Sequence, residues 1–324
     1  MNRGRYPLRH VLQFIIGLFI FLFPLLFSEQ LFWVHVLTLI FIYIILSVSL
    51  RLVALTGLLN LASVAFMGIG AYASAVLSTR LEVPFWIAAP VAGGICILFS
   101  LALGVPLLRL IGAYFFIGTV TIAMIIRVFF GNFFVDIFQG IPGFSPIARP
   151  YIAIPGTFEV VLISKASHYY LALGVMAISL LIMYRLENCR YGRAWKAIAQ
   201  ADRLAESVGV DLFKYKLLAF AACNFFCGIA GATYGAIMNI ITPHEFDLPR
   251  MFIIVMYCVV GGMHSFWGAI IGTFLMAVIA EFLRTLGQWE LFGYGVILVL
   301  TMRLMPQGLV GLVKPLLSPA EAKK

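Results

Sequence analysis

Runs of apolar residues as long as a bilayer is thick recur along this chain, and they leave few folds open. Leu37 to Leu46 is interrupted only by Thr38 and shows none of the alternation of a barrel strand. Backbone groups in hydrocarbon must pair within the structure, so spans are helices or closed barrels. A barrel strand alternates with period two; these runs do not, and the expectation is helices. Only 11% of the 324 residues are charged, against about 25% in an ordinary soluble domain. Such a chain cannot cover itself with polar surface in water.

A spanning helix needs roughly 20 apolar residues. On that scale the sequence predicts an all-α polytopic membrane protein of about ten spans (8–10), some of them discontinuous. They fall near 11–27, 31–50, 57–79, 85–108, 113–131, 168–184, 217–241, 250–263, 266–284 and 291–304. The 250–263 segment is short for a full crossing. Residues 11–27 follow a basic start but end Phe27-Ser28-Glu29 without a small-x-small cleavage pattern. They read as a retained span and not as a signal peptide.

The formal charge of +9 invites a nucleic-acid reading, but the position of the charge argues against it. Most of the 22 basic residues lie in three clusters: Arg3, Arg5 and Arg9; the 185–216 loop from Arg185 to Lys216; and Arg303, Lys314, Lys323 and Lys324. Basic loops stay in the cytoplasm. All three clusters are therefore expected on that side, with six spans before the loop and four after it. The organisation reads as a basic cytoplasmic N-terminus (1–10), one transmembrane permease domain (11–312) and a cytoplasmic tail (313–324).

Two regions read as broken helices. Gly57 to Tyr72 puts Gly57, Asn60, Ser63, Phe66 and Gly70 at membrane depth, and Gly261 to Gly268 is the second; both carry Phe-x-Gly. Transporters interrupt helices along the solute path, and glycines also let helices pack closely; both readings stand. Arg127 is an ionisable group inside a span. It faces the pathway or reaches toward the boundary near Asn132. Glu281 and Arg284 are three apart on one helix face and are placed to pair. Among five cysteines, Cys223 and Cys227 read as small packing residues, with no metal-ligand pattern around them.

The 185–216 loop has helical periodicity of its own. Ala194, Ile198, Ala201, Ala205 and Val208 share one face, and Lys196, Gln200, Arg203 and Ser207 another. Gly209 is placed to end this helix, and Asp211 to cap the next. The loop is either a solvated basic connection or a docking helix for a cytoplasmic motor. A short amphipathic helix is marginal in water without a partner. The chain has no G-x-x-x-x-G-K-[ST] phosphate loop. Carboxylates inside the spans, which an ion-coupled carrier uses, are scarce. The five histidines form no catalytic pattern. A non-catalytic permease driven by partner ATPases is expected, with an ion-coupled carrier as the rival class.

Several motifs carry a family resemblance. Gly57 to Tyr72, Arg190 to Ile198, Ala205 to Gly209, Tyr215 to Phe220, Val260 to Gly268, Glu281 to Arg284 and Arg303 to Leu309 resemble the branched-chain amino-acid permeases of the ABC superfamily, LivM type. The resemblance covers roughly residues 40–312. It implies a second permease subunit of LivH type, two cytoplasmic ATPase subunits that bind the ATP, and an extracytoplasmic binding protein. No cofactor is implied on this chain. It implies a bacterial or archaeal plasma membrane, and a coupling loop at Arg193 to Gly209, including Ala194, Ile198, Ala201, Ala205 and Glu206. The implied solute is a small amino acid, most directly a branched-chain one; urea, short amides and other organic solutes belong to the same family. This sequence departs from the family at Met124, where a Glu is common, and at Gln139 to Gly143 in the outer loop.

Overall fold

The computed structural model describes residues 23–24, 31–110, 112–154, 158–161, 164–263 and 265–304. The expected span at 11–27 (all but Phe23 and Pro24), the termini 1–10 and 313–324, and His264 lie outside them. Helix α1 (Leu31–Ala54) leads to α2 (Ser63–Arg80), α3 (Phe85–Leu107) and α4 (Ala113–Asn132). A short α5 (Val135–Phe138) and a hairpin, β1 (Tyr151–Ile154) and β2 (Phe158–Val161), precede α6 (Lys165–Asn188). Helices α7 (Arg190–Gln200) and α8 (Asp202–Ser207) lie between α6 and α9 (Leu212–Met238). A 3-10 turn (Pro243–Phe246), α10 (Leu248–Gly261), α11 (Phe266–Leu283), a second 3-10 turn (Arg284–Trp289) and α12 (Glu290–Leu304) complete the described chain.

Helices α1, α3, α4, α6, α9 and α11 are each long and apolar enough to cross a membrane. With α2, α10 and α12 they match the expected segments to within a few residues. Helix α2 has 18 residues and is rich in Gly, Ala and Ser, while α10 has 14 and α12 has 15. The long helices sort into two kinds. Helix α1 is apolar almost all round and, except for Tyr43, buried from Ile40 to Val53, and α9 is buried over most of its length; these two form the core. Helices α3, α4 and α6 turn Leu98, Ile117, Ile125, Ile178 and Leu181 outward. An exposed belt of that extent is costly in water and costs nothing against lipid. The protein is a multi-pass membrane protein.

Small residues set the closest contacts. A Cβ on Gly70 would collide with the Gly228 backbone, and one on Gly231 with the carbonyl of Met67. Helices α2 and α9 therefore meet backbone to backbone. For Gly70 this is the packing role left open by the sequence.

Two clusters of contacts mark the ends of the bundle. At the loop end, α7 packs against α6 and α9, and α8 against α7 and α9. At the far end, Trp33 meets Phe282 with ring centroids 6.3 Å apart, Thr79 Oγ1 accepts from the Ala148 N–H at 3.1 Å, and Phe144 bridges Ile241.

Three expectations need correction in detail. The 57–79 span starts as a helix only at Ser63; residues 55–62 are turn and irregular backbone, with Gly57 at φ +79°. The all-α expectation leaves out one short hairpin between α4 and α6: β1 and β2 pair antiparallel, Tyr151 opposite Val161 and Ile154 opposite Phe158. The amphipathic helix of the loop is two helices. Ala201, at φ −161° and ψ +100°, breaks it after Gln200, and Gly209 at φ +85° follows the second piece. The second expected break is present where α10 stops at Gly261, Gly262 turns with φ +102° and the Ser265 hydroxyl caps α11.

Candidate functional site

Helix α7 is fastened to the bundle at three points. Gly192 lies so close to Glu187 that a Cβ would strike the backbone there, which lets α7 fold back at once from α6. Trp195 is fully buried, and its indole N–H donates to the carbonyl of Tyr215 at 2.9 Å, tying α7 to the first turn of α9. Lys196 reaches the Glu187 carboxylate at 2.9 Å.

Glu187 is the centre of the third fastening. It is 6% exposed and Arg51 1%, so the charges are screened from solvent and hold each other. Both terminal nitrogens of Arg51 donate to the two carboxylate oxygens, and the second of these bonds is 2.9 Å. The guanidinium also stands over the ring of Phe266, 5.9 Å from its centroid. One carboxylate thus joins α1, α6 and α7, with α11 stacked against the pair. Neither Arg51 nor Glu187 was singled out from the sequence. The available signal was an arginine ending an apolar run and an acid inside a basic loop; an ionisable group at membrane depth is functional by default.

The expected coupling residues divide by direction. Ile198 and Ala205 are buried in the chain itself, and Ala194 and Ala201 are half-buried. Arg193, Glu206 and Gly209 are exposed. Leu204 and Val208 face outward at 70% and 77% exposure. The apolar stripe read as one docking face is therefore mostly turned inward. Asp211 caps α9 by accepting from the Lys214 N–H at 3.1 Å. The Lys214 ammonium and that N–H hold its carboxyl below the usual range.

Among the expected pathway residues, Asn60, Ser63, Phe66 and Gly70 are brought together between α2 and α9. Asn60 is fully buried; its amide donates to Asn224 Oδ1 at 3.1 Å, and its carbonyl oxygen accepts from the Ala62 N–H at 2.9 Å. Phe66 stands edge-on to Phe220. Gly57 is exposed and lies near Ala199 of α7, which puts it at the loop end. Arg127 lies apart from all of these. It donates to Asp247 and contacts His244, both at 3.1 Å, tying α4 to the start of α10 at the far end. Glu281 and Arg284 pair at 3.5 Å, as their spacing anticipates.

The far half of the bundle holds a partly open cavity of about 420 Å³ between α1, α9, α10, α11 and α12. Its wall combines Arg250, Glu281 and Glu290 with Tyr43, Tyr234 and Tyr294, and with aliphatic side chains from α1 and α10. Arg250 and Glu290 carried no sequence signal beyond their charge.

The profile of the family described as branched-chain amino acid transport system / permease component matches residues 32–305. The chain is similar to the high-affinity branched-chain amino acid transport system permease protein LivM of Escherichia coli (strain K12), 32% identical over 87% of this chain and 71% of that protein. It is similar in the same way to the protein of that name from Salmonella typhimurium, 30% identical over the same shares. No solved structure matches.

Proposed function

The chain belongs to the permease-component family of branched-chain amino-acid transport systems, and from that premise we propose that it is one membrane subunit of an ATP-driven importer of small aliphatic amino acids. Its partners in this reading are a second permease subunit, two cytoplasmic ATPases that bind and hydrolyse the ATP, and an extracytoplasmic protein that delivers solute. It catalyses no chemistry, needs no cofactor and works in the plasma membrane of a bacterium or archaeon.

The observation that carries the proposal is the helix pair α7–α8. Three fastenings lock it to α1, α6 and α9, while Leu204 and Val208 stand exposed. A rigid element with an uncovered apolar tip can transmit force from a motor, whereas a solvated loop cannot. Coupling contacts then centre on Leu204, Val208 and the exposed Arg193, Glu206 and Gly209; Ile198 and Ala205 hold the element together from inside. The basic residues of the 185–216 loop support a cytoplasmic loop end. With 11–27 as a first span, the two short helices α10 and α12 and the 18-residue α2 complete a ten-span topology with both termini cytoplasmic. Asn60, Ser63, Phe66 and Gly70 lie along the α2–α9 seam, Gly57 lies beside α7, and Arg127 ties α4 to α10 at the far end.

Purification of a tagged chain co-expressed with its cognate subunits tests the assembly. Recovery of two ATPases with the permease pair supports the proposal; a chain that purifies alone under all conditions opposes it.

A further inference from the structure

The cavity at the far end holds an unusual set of charges for a membrane interior. Arg250 forms no ion pair among the described residues; its guanidinium donates to the Tyr234 hydroxyl at 3.3 Å and stands 5.5 Å from that ring's centroid. Glu245 bears on it only at longer range. A cation left without an anion in a low-dielectric site is costly, and inside a transporter such a group marks a solute site. The same wall carries Glu290, which accepts from the Tyr294 hydroxyl at 2.8 Å, and the Glu281–Arg284 pair, which balances its own charge. Ile40, Ile253 and Ile254 supply aliphatic surface between them. A volume of about 420 Å³ lies within the roughly 300–1,000 Å³ of small-molecule sites.

One cation needing an anion, a carboxylate able to take a cation, and an aliphatic wall describe the complement of one kind of molecule. We propose that this cavity binds the zwitterion of an aliphatic α-amino acid, the Arg250 guanidinium taking its carboxylate and Glu290 taking its ammonium. The inference rests on the transport reading for its solute class, and assigns the solute a place inside this subunit on the side opposite the ATPase contacts. Urea and neutral amides carry neither charge and leave Arg250 unpaired, so they fit the wall poorly.

The test uses the assembled transporter in proteoliposomes, with Ile253→Cys and, independently, Leu39→Cys as reporters. Reaction with a membrane-impermeant thiol reagent is followed at each position by mass spectrometry, with the unsubstituted chain as background. Millimolar L-leucine should slow labelling several-fold. L-Leucinamide, which lacks the carboxylate, and isocaproate, which lacks the ammonium, should not. Arg250→Gln should abolish leucine protection and lower leucine uptake about ten- to hundred-fold, the value of a charge-assisted hydrogen bond; Arg250→Lys should retain part of both, with assembly unchanged in each. Equal protection by all three compounds, or none by leucine at either reporter while ATP-driven uptake is normal, would overturn the site and leave the transport reading standing. Leucine protection without ATP-driven uptake would do the reverse.

Discussion

Arg51 and Glu187 lie 136 residues apart in sequence and meet in a buried bidentate ion pair at the root of the loop helices. The Lys196 ammonium completes the site 2.9 Å from Glu187. Four helices converge there: α1 through Arg51, α6 through Glu187, α7 through Lys196, and α11 through Phe266.

Removal of one partner of this pair strands a buried charge, which costs about 3–5 kcal/mol. Glu187→Gln and Arg51→Met should each lower the melting temperature of the purified chain. The double variant Arg51→Met/Glu187→Met should recover much of the loss, because no buried charge is left unpaired and Lys196 is 45% exposed. Lys196→Ala should cost far less, since Lys196 is 45% exposed and its half of the contact is screened. Thermal unfolding in detergent measures all four.

Docking and internal packing separate by direction on the loop. Leu204→Glu and Val208→Glu alter side chains exposed at 70% and 77%. They should leave the fold intact and weaken ATPase co-purification. Ala205→Arg forces a charge into a position that is 4% exposed; it should destabilise the permease itself, by several kcal/mol. The comparison is decided by running melting and co-purification on the same three proteins. If Ala205→Arg melts normally and Leu204→Glu does not, the orientation of α8 is wrong.

The α2–α9 seam admits no side chain at Gly70 or Gly231. Gly70→Leu and Gly231→Val should therefore cost more than the usual overpacking range of about 1–3 kcal/mol, because backbone is what blocks them. Gly94→Ala is the control, as nothing lies within 4 Å of a Cβ built there. Expression level and melting temperature report the difference.

The cap of α9 carries a pH signature. The Asp211 carboxyl is held below the usual aspartate range by the Lys214 ammonium and N–H. Its folded value is depressed, so its contribution is present above the unfolded value and is lost as pH falls through the folded one. Hydrogen exchange at the Lys214 amide should accelerate only in that acidic window. Asp211→Asn keeps the cap geometry and should remove the pH dependence.

Much of this was legible in the sequence, because bilayer thickness and helical rise together fix the length of an apolar run. The segments 31–50, 85–108 and 113–131 reappear as α1, α3 and α4 with small shifts at their ends. Breaks at Gly57 and Gly262 were marked by glycines that the structure holds at positive φ. Asp211 acts as the cap that its position before an apolar run suggested. What escaped was set by partners distant in sequence. Periodicity assigns Ile198 and Ala205 to one face, but which way that face points depends on Gly192, Trp195 and Glu187 folding α7 back on the bundle. Arg250 and Glu290 come from helices separated in the chain, so only the fold places them around one cavity. The 14-residue α10 was recognised as short, yet its length alone did not reveal that a charged residue in its first turn faces inward.

Transport is the most direct measurement of the central claim. The permease pair is reconstituted in proteoliposomes with and without its ATPases, and radiolabelled L-leucine uptake is followed in the presence of the binding protein. The expected result is uptake that requires lumenal ATP, the ATPases and the binding protein, and that is indifferent to proton or sodium gradients. Uptake by this chain without ATPases, driven by an ion gradient, would contradict it.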